Sequence, residues 1–447
     1  MDSTTRIGPR AVAAAALLAG LATTGAAHAV TCADVIAQNN LTHVIFGAGG
    51  SAITPTLAKV AYLLTKANPP INVFYADPGA QAGYDQFKDG TAGKTAAPFK
   101  YWRAEADLTA ATPPTCTATD PIAGQAIDFG TTGGTLNLFG ETLPSGIGSF
   151  TGPAQGVNLI VPNASTETSI STQALYFVFG FGNATELGGA TNPIPWIDKS
   201  YIIQRKSTSF VQQFVRGTIQ TLGGPAANFP ADFANASTQT AVHALDGKDS
   251  NQGTVDSLVW AAGQGKAQQA IGFTSGPTAD KNRASVRALA YQHTGQNAGY
   301  WPDSTPDAFD KINIRTGQYY LWDVNQFFVK VTGANAHPTL DQITNADLKK
   351  FVGYFSGQTP SPAEADVDRA IVETGSIPLC AMRVTREGDF GALSCYAPPV
   401  PCGCYFESIV NKKADVCDAC VVDQDCNPTG TKASDARACH HGYCEAY

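Results

Sequence analysis

Charged side chains are scarce in this 447-residue chain, at 15%. Beyond the first 29 positions no apolar run reaches the ~18 residues that a transmembrane helix requires. That absence excludes a membrane span after that point. Cations are in the minority, with 29 Lys and Arg against 37 Asp and Glu, for a net charge of −8. Nucleic acid and anionic membrane surfaces are therefore poor partners. An acidic chain can still hold an anion through local N–H groups. Catalytic signatures are missing too: no G-x-S-x-G elbow and no H-E-x-x-H zinc motif occurs. Carboxylates are plentiful, but no spacing pairs two of them as an acid and a base. There is no internal repeat. These absences argue against an enzyme, and no catalytic residue, metal or cofactor is expected.

The first 29 residues read as a signal peptide. Arg6 and Arg10 precede an apolar run from Ala11 to Ala22, and Ala27-His28-Ala29 is an A-x-A cleavage site. Removing them leaves 447 − 29 = 418 residues and takes the net charge from −8 to −9, since Arg6, Arg10 and Asp2 leave together. Ala29-Val30-Thr31 before Cys32 is not a lipobox, so a soluble product is expected, periplasmic or extracellular. All 11 cysteines follow the signal, and in an exported chain they imply disulfides. The odd number leaves one thiol free, intermolecular or metal-bound. Seven cysteines fall between Cys402 and Cys444. His440-His441 beside Cys439 and Cys444 suits a disulfide-rich module better than a metal site.

The chain is organised around HVIFGAGGSAITPTLAK, His43 to Lys59. Val44-Ile45-Phe46 reads as a buried strand. Gly47, Gly49 and Gly50 allow a sharp turn and close backbone approach to a ligand. Thr54-Pro55 reads as N-cap and first helical residue. A strand, a glycine turn and a helix start form a cradle for an anion or polar ligand, because N–H groups point out of the helix. No Gly-Lys-Ser/Thr follows the turn and it is not GxGxxG, so it is not a nucleotide loop. A second such unit follows at Ile71–Tyr75, Gly79–Gly83 and Tyr84, and a third strand with its turn at Ala126–Thr135. Succession of this kind implies a parallel sheet with turns at one edge. Further strands are expected at Gly156–Val161, Tyr201–Gln204, Ala270–Thr274 and Leu321–Val331. Helices are expected at Val211–Leu222, Ser250–Ala262, Ile343–Phe355 and Ala363–Thr374.

The order of turns resembles the type II periplasmic binding proteins, specifically the phosphate-binding proteins of ABC transporters. GAGGSAITPTLAK, VFYADPGAQAGYDQF, AIDFGTTGG, RKSTSF and AIGF each resemble a segment of that family, in the same order, over roughly Thr42 to Val331. The resemblance implies that Ser51 is a ligand-binding hydroxyl and that Arg205, Ser207 and Thr208 grip an anion. It also marks departures. Ala80 stands where the family has a second ligand serine, and Gly133 where it has the aspartate that accepts the phosphate proton. From the residues alone, Ser51 reads as a ligand donor or a helix cap. Arg205 reads as an anion clamp or a structural ion pair, Ser207–Ser209 as a ligand site or an N-cap, and Asn251 likewise.

The reading is an α/β, two-lobed type II periplasmic binding protein fold with a small cysteine-rich C-terminal module. Lobe I is expected at 30–160 and 276–397, lobe II at 161–275, and the tail at 398–447. The function expected is capture of a small oxyanion or polar solute between the lobes by Gly49, Gly50, Ser51, Arg205, Ser207, Thr208 and Asn251. An ABC permease or a cell-surface partner would accompany it. The alternative is an extracellular interaction or adhesion protein that keeps the fold as a scaffold. Outside the tail, Cys32 is expected to pair with Cys116 and Cys380 with Cys395, leaving the odd thiol in a separable tail. The exported protein should begin at Val30. N-terminal sequencing checks this, and finding Met1 or a lipid on Cys32 would contradict it.

Overall fold

The computed structural model describes residues 30–445 apart from 91–97, 111, 119, 121, 181–194, 207, 221–249, 334, 336, 412–416, 428 and 430–435. The expected signal peptide, residues 1–29, therefore lies outside the described residues. Helix α1 is Cys32–Gln38, closed at its start by a reciprocal cap between Thr31 and Asp34. Strand β1 (Val44–Gly49) leads through the glycine turn into α2 (Thr54–Leu64), and β2 (Asn72–Ala76) leads into α3 (Ala80–Lys88). Ile53 already has helical dihedrals, so Thr54 is the first helical residue rather than the cap. Its hydroxyl turns to Asp77 instead, at 3.2 Å.

The short strands β3 (Phe99–Lys100) and β4 (Thr115–Cys116) form an antiparallel edge. Next come β5 (Phe129–Thr132) and the 16-residue β6 (Ile147–Pro162). Later elements are β7 (Ile202–Ile203), α4 (Phe210–Gln220), α5 (Asn251–Gly263), β8 (Ile271–Ser275), α6 (Gly276–Lys281), β9 (Val286–Ala288) and β10 (Trp322–Lys330).

One mixed sheet runs in the order β4-β3-β2-β1-β5-β10-β6-β8-β7, with β9 also on β6. It is parallel at β2-β1-β5 and at β7-β8, whereas β10 and β6 run antiparallel to their neighbours. Strand β6 joins two halves. Its first part pairs with β10 as far as Gly156, opposite Trp322, and from Val157 it pairs with β8. The changeover thus sits at Gly156–Val157. The chain returns to the first half along β10 rather than at 276, because β9 is bonded to β6 at Ile160–Pro162.

Each half has its own apolar packing. Ile45, Leu57, Phe129, Phe327 and Phe351 fill one face of the first half, while Phe46, Phe74, Phe87 and Phe328 fill the other. Leu159, Phe214, Phe273 and Trp322 form the largest cluster, in the second half. Helices α7 (Ala346–Phe355) and α8 (Val367–Glu373) cover the first half. Among the described residues no helix is long and apolar enough to cross a membrane.

A hairpin of β11 (Val384–Arg386) and β12 (Leu393–Cys395) precedes the tail, which opens with α9 (Gly403–Val410) and ends in a small hairpin at Ala438–Glu445. Cys32 and Cys116 are bonded, with S–S at 2.05 Å, pinning α1 to the β4 edge. Cys380 pairs with Cys402, not with Cys395. The Cys402 amide donates to the Cys380 carbonyl at 3.0 Å, which sets the Cα atoms 5.1 Å apart, within disulfide reach. Cys395 instead sits exposed on β12 opposite Val384.

The cysteine-rich C-terminal module is docked on the second half. Phe406 is buried in the second-half core, and the buried Arg315 stacks over its ring at 4.4 Å and pairs with Glu407. Burial of one such phenyl group is worth about 1.5–3 kcal/mol. The other tail bridges are Cys404–Cys417, Cys420–Cys439 and Cys426–Cys444. Five bonds among 11 cysteines leave Cys395 alone. Native protein treated with an alkylating reagent should gain a single adduct, mapped to Cys395 by mass spectrometry. Cys395→Ser should gain none, and truncation at Pro399 should lower the melting temperature. An adduct on a tail cysteine would refute the pairing.

Candidate functional site

The glycine turn after β1 is shaped by packing on both sides. A Cβ on Gly49 would lie 2.0 Å from Thr131 Oγ1 and 2.6 Å from Tyr75 Oη, and one on Gly83 would lie 2.2 Å from the Gly49 nitrogen. Helix α3 thus rests directly on the turn, and that contact requires these glycines whatever the ligand. The Tyr75 hydroxyl donates to the Gly50 carbonyl at 2.9 Å and pairs with Thr131 Oγ1 at 2.7 Å. Burial pushes the Tyr75 hydroxyl far above its ordinary range, with the Thr131 contact opposing, so it stays neutral and remains a donor. Gly50 follows and presents Ser51, half-buried, at the entrance to α2.

Three of the expected residues form one chain of polar contacts. Asn251 Nδ2 lies 3.5 Å from Ser51 Oγ, and Asn251 Oδ1 accepts from Arg205 Nη1 at 2.5 Å. Arg205 and Asn251 are 2% and 4% exposed, so both hold their places away from bulk water. The Arg205 amide donates to Gln212 Oε1 at 2.9 Å, fixing the loop between β7 and α4. Asn251 is the first residue of α5, and Ser250 before it caps the helix by accepting from the Gly253 amide at 2.8 Å. The Asn251 side chain is therefore spared from capping and bridges Arg205 to Ser51. This contact orients the guanidinium.

The next segment docks elsewhere on the first half. Lys206 Nζ donates to the Pro78 carbonyl at 2.9 Å, and the Thr208 carbonyl accepts from the Gln81 amide at 3.3 Å. A Cβ on Gly79 would lie 3.1 Å from Thr208 Oγ1. Thr208 thus sits at the start of α3 and joins the two halves there. Ser207 lies outside the described residues.

Two positions noted in the sequence have physical explanations. Gly133 has no room for any side chain: a Cβ there would lie 2.2 Å from the Phe210 ring, which opens α4. Ala80, 1% exposed, opens α3 against Gly50, whose own Cβ would lie 3.3 Å from the Ala80 methyl. The starts of α2, α3, α4 and α5 therefore come together around Gly49–Ser51, Arg205 and Asn251. Helix starts carry positive potential, so this is an arrangement for holding negative charge.

Tyr75, Thr131 and Phe210 shape the site yet were not read from the sequence. Tyr75 lies within an apolar run whose only visible message is a strand, and the Tyr75–Thr131 contact spans 56 positions.

No protein-family model matches the chain, and no curated protein matches its sequence. Solved structures similar to it include a putative phosphate ABC transporter substrate-binding protein with bound phosphate from Clostridium perfringens, at 11% identity. That match covers 75% of this chain and 99% of the other, with a TM-score of 0.44. An ABC-type phosphate transport receptor from Vibrio cholerae is 16% identical, covering 75% and 99%, with a TM-score of 0.42. A phosphate-binding protein from Stenotrophomonas maltophilia is 14% identical, covering 75% and 91%, with a TM-score of 0.44.

Gly133→Ala should destabilise the protein by about 1–3 kcal/mol, the usual cost of forcing a methyl into a filled core. Chemical denaturation measures this. A change below about 0.5 kcal/mol would mean that the Phe210 ring yields freely.

Proposed function

We propose that the chain is an exported solute-binding protein, resembling phosphate-binding proteins, that captures a small oxyanion or polar solute between the two halves of its sheet. The observation that carries this reading is the contact chain Ser51–Asn251–Arg205, in which a hydroxyl of the first half meets an amide and a guanidinium of the second. Ligand binding needs donors, and the site supplies them as the Ser51 hydroxyl, the Gly49 and Gly50 amides, the Asn251 amide, the Thr208 hydroxyl and the fork of Arg205. Ser207 joins this set as an expectation from the sequence.

A ligand held by donors on both halves favours the closed arrangement, so capture and hinge closure are one equilibrium. No proton transfer or bond cleavage is required. A membrane permease or a cell-surface partner would receive the loaded protein. The solved structures similar to this chain include one with bound phosphate, from Clostridium perfringens.

This site differs from one built to select a protonated anion. With Phe210 against Gly133, no carboxylate can grow from that turn to accept an anion's proton. A P–OH left without an acceptor costs about 1–3 kcal/mol. Fully ionised anions therefore suit the cradle best. Calorimetry should find sulfate binding unchanged with pH and phosphate binding tightening as pH rises. Arg205→Ala should weaken both by about 10- to 100-fold, as expected for loss of a charge-assisted hydrogen bond. Strong phosphate selectivity at low pH would contradict the Gly133 argument, and tight binding unaffected by Arg205→Ala would contradict the site.

A further inference from the structure

The cysteine-rich module touches more than the second half. In α9, Phe406 is buried in the second-half core and Glu407 pairs with Arg315, whose Nε donates to the Ala381 carbonyl at 3.0 Å. The neighbouring Tyr405 donates its hydroxyl to Asp366, the N-cap of α8. His441, on the turn of the last hairpin, stacks on the Tyr405 ring at 4.0 Å and sets Nε2 3.6 Å from Asp368, in the first turn of α8. Helix α8 is held by the first half. Its Val367, Ala370 and Ile371 are buried with Ile45 and Leu57. Thr56 of α2 bonds Thr374 and Ser376 at 2.9 and 2.8 Å, and Lys59 pairs with Glu373 at 2.8 Å. Val372 of α8 reaches the second-half cluster, so this helix lies along the line between the halves. The segment Tyr405–Glu407 thus grips both.

The module is stiff enough to carry a load between them. Three disulfides cross-link it, and Cys380–Cys402 fixes its entrance. Glu445, 1% exposed, accepts from the Cys404 and Tyr405 amides at 2.8 Å each, which locks the end of the chain onto the start of α9. These anchors are made in the arrangement in which the halves also meet at the cradle, through Asn251 with Ser51 and Lys206 with the Pro78 carbonyl. A rotation that carries α8 away from the second-half core breaks the anchors at one end of the module. An element satisfied at both ends in only one arrangement shifts the equilibrium toward that arrangement.

We propose that the C-terminal module is a strap across the two halves, holding them near the closed arrangement in which the cradle is assembled. The proposal rests on the capture reading for its use, but its test does not need a ligand. Spin labels on Asp89→Cys in the first half and Val259→Cys on α5, both exposed positions, report the separation of the halves in the full exported chain, with Cys395→Ser as background. Ligand-free protein should show mainly one short distance. Tyr405→Phe with Asp368→Asn, which frees the first-half end and leaves every disulfide, should add a longer one. Saturating sulfate should restore the short distance, and the same variant should bind sulfate about 3- to 10-fold more weakly, with the cradle residues intact. Asp366→Asn with Asp368→Asn, in which asparagine still caps α8, is the second variant should the first not fold. Ligand-free distances identical in the parent and both variants would overturn the proposal. Those distances decide the strap even if sulfate does not bind, so this proposal and the capture reading fail separately.

Discussion

Strand β6 is the constraint on which the rest depends. It is buried at every position from Gly152 to Pro162, and it pairs with β10 on one side of Gly156 and with β8 on the other. A strand shared in this way makes the two halves neighbours and fixes the edge from which their turns face each other. One of its buried amides is tied into the neighbouring strand. Gln155 Nε2 donates to Asn325 Oδ1 at 2.9 Å, and Asn325 donates in turn to the Pro153 carbonyl at 2.8 Å. Slipping β6 by one residue would move Leu159 and Val161 from the largest cluster to the face that Ile160 fills, and would break the Gln155–Asn325 contact.

On that frame, the cradle is assembled from local rules. Each strand of the parallel part ends in a small-residue turn, and the helix that follows presents its start to the same side. Ser250 caps α5, which leaves the next residue, Asn251, able to reach both Arg205 and Ser51. The positive character of the place comes from one guanidinium and several helix starts rather than from a basic surface. A net charge of −8 therefore does not by itself exclude an anion there.

Much of this was legible in the sequence. Buried parallel strands read as short apolar runs, and HVIFGAGG and INVFY announced β1 and β2 with their turns. Ser51, Arg205 and Asn251, separated by up to 200 positions, stand out in the sequence at turn and helix-start positions, and the fold brings them into one chain of contacts. The unread parts are those that depend on distant packing. Gly152, Gln155, Gly156 and Asn158 interrupt the apolar pattern of β6 and hide its length. Phe210 against Gly133 joins residues that no local pattern links. Cys395 is nearer to Cys380 in sequence than Cys402 is, yet the fold brings Cys402 to it. The tail read as separable because its cysteine density is visible, whereas its buried phenyl group and the Arg315–Glu407 pair are not.

The central claim is spatial: an anion held between the halves, touched by residues of both. A crystal structure of the protein grown with sulfate tests it most directly. The account predicts one sulfate within hydrogen-bonding distance of both Ser51 Oγ and the Arg205 guanidinium. A sulfate bound with full occupancy elsewhere, with Ser51 and Arg205 untouched, would contradict it.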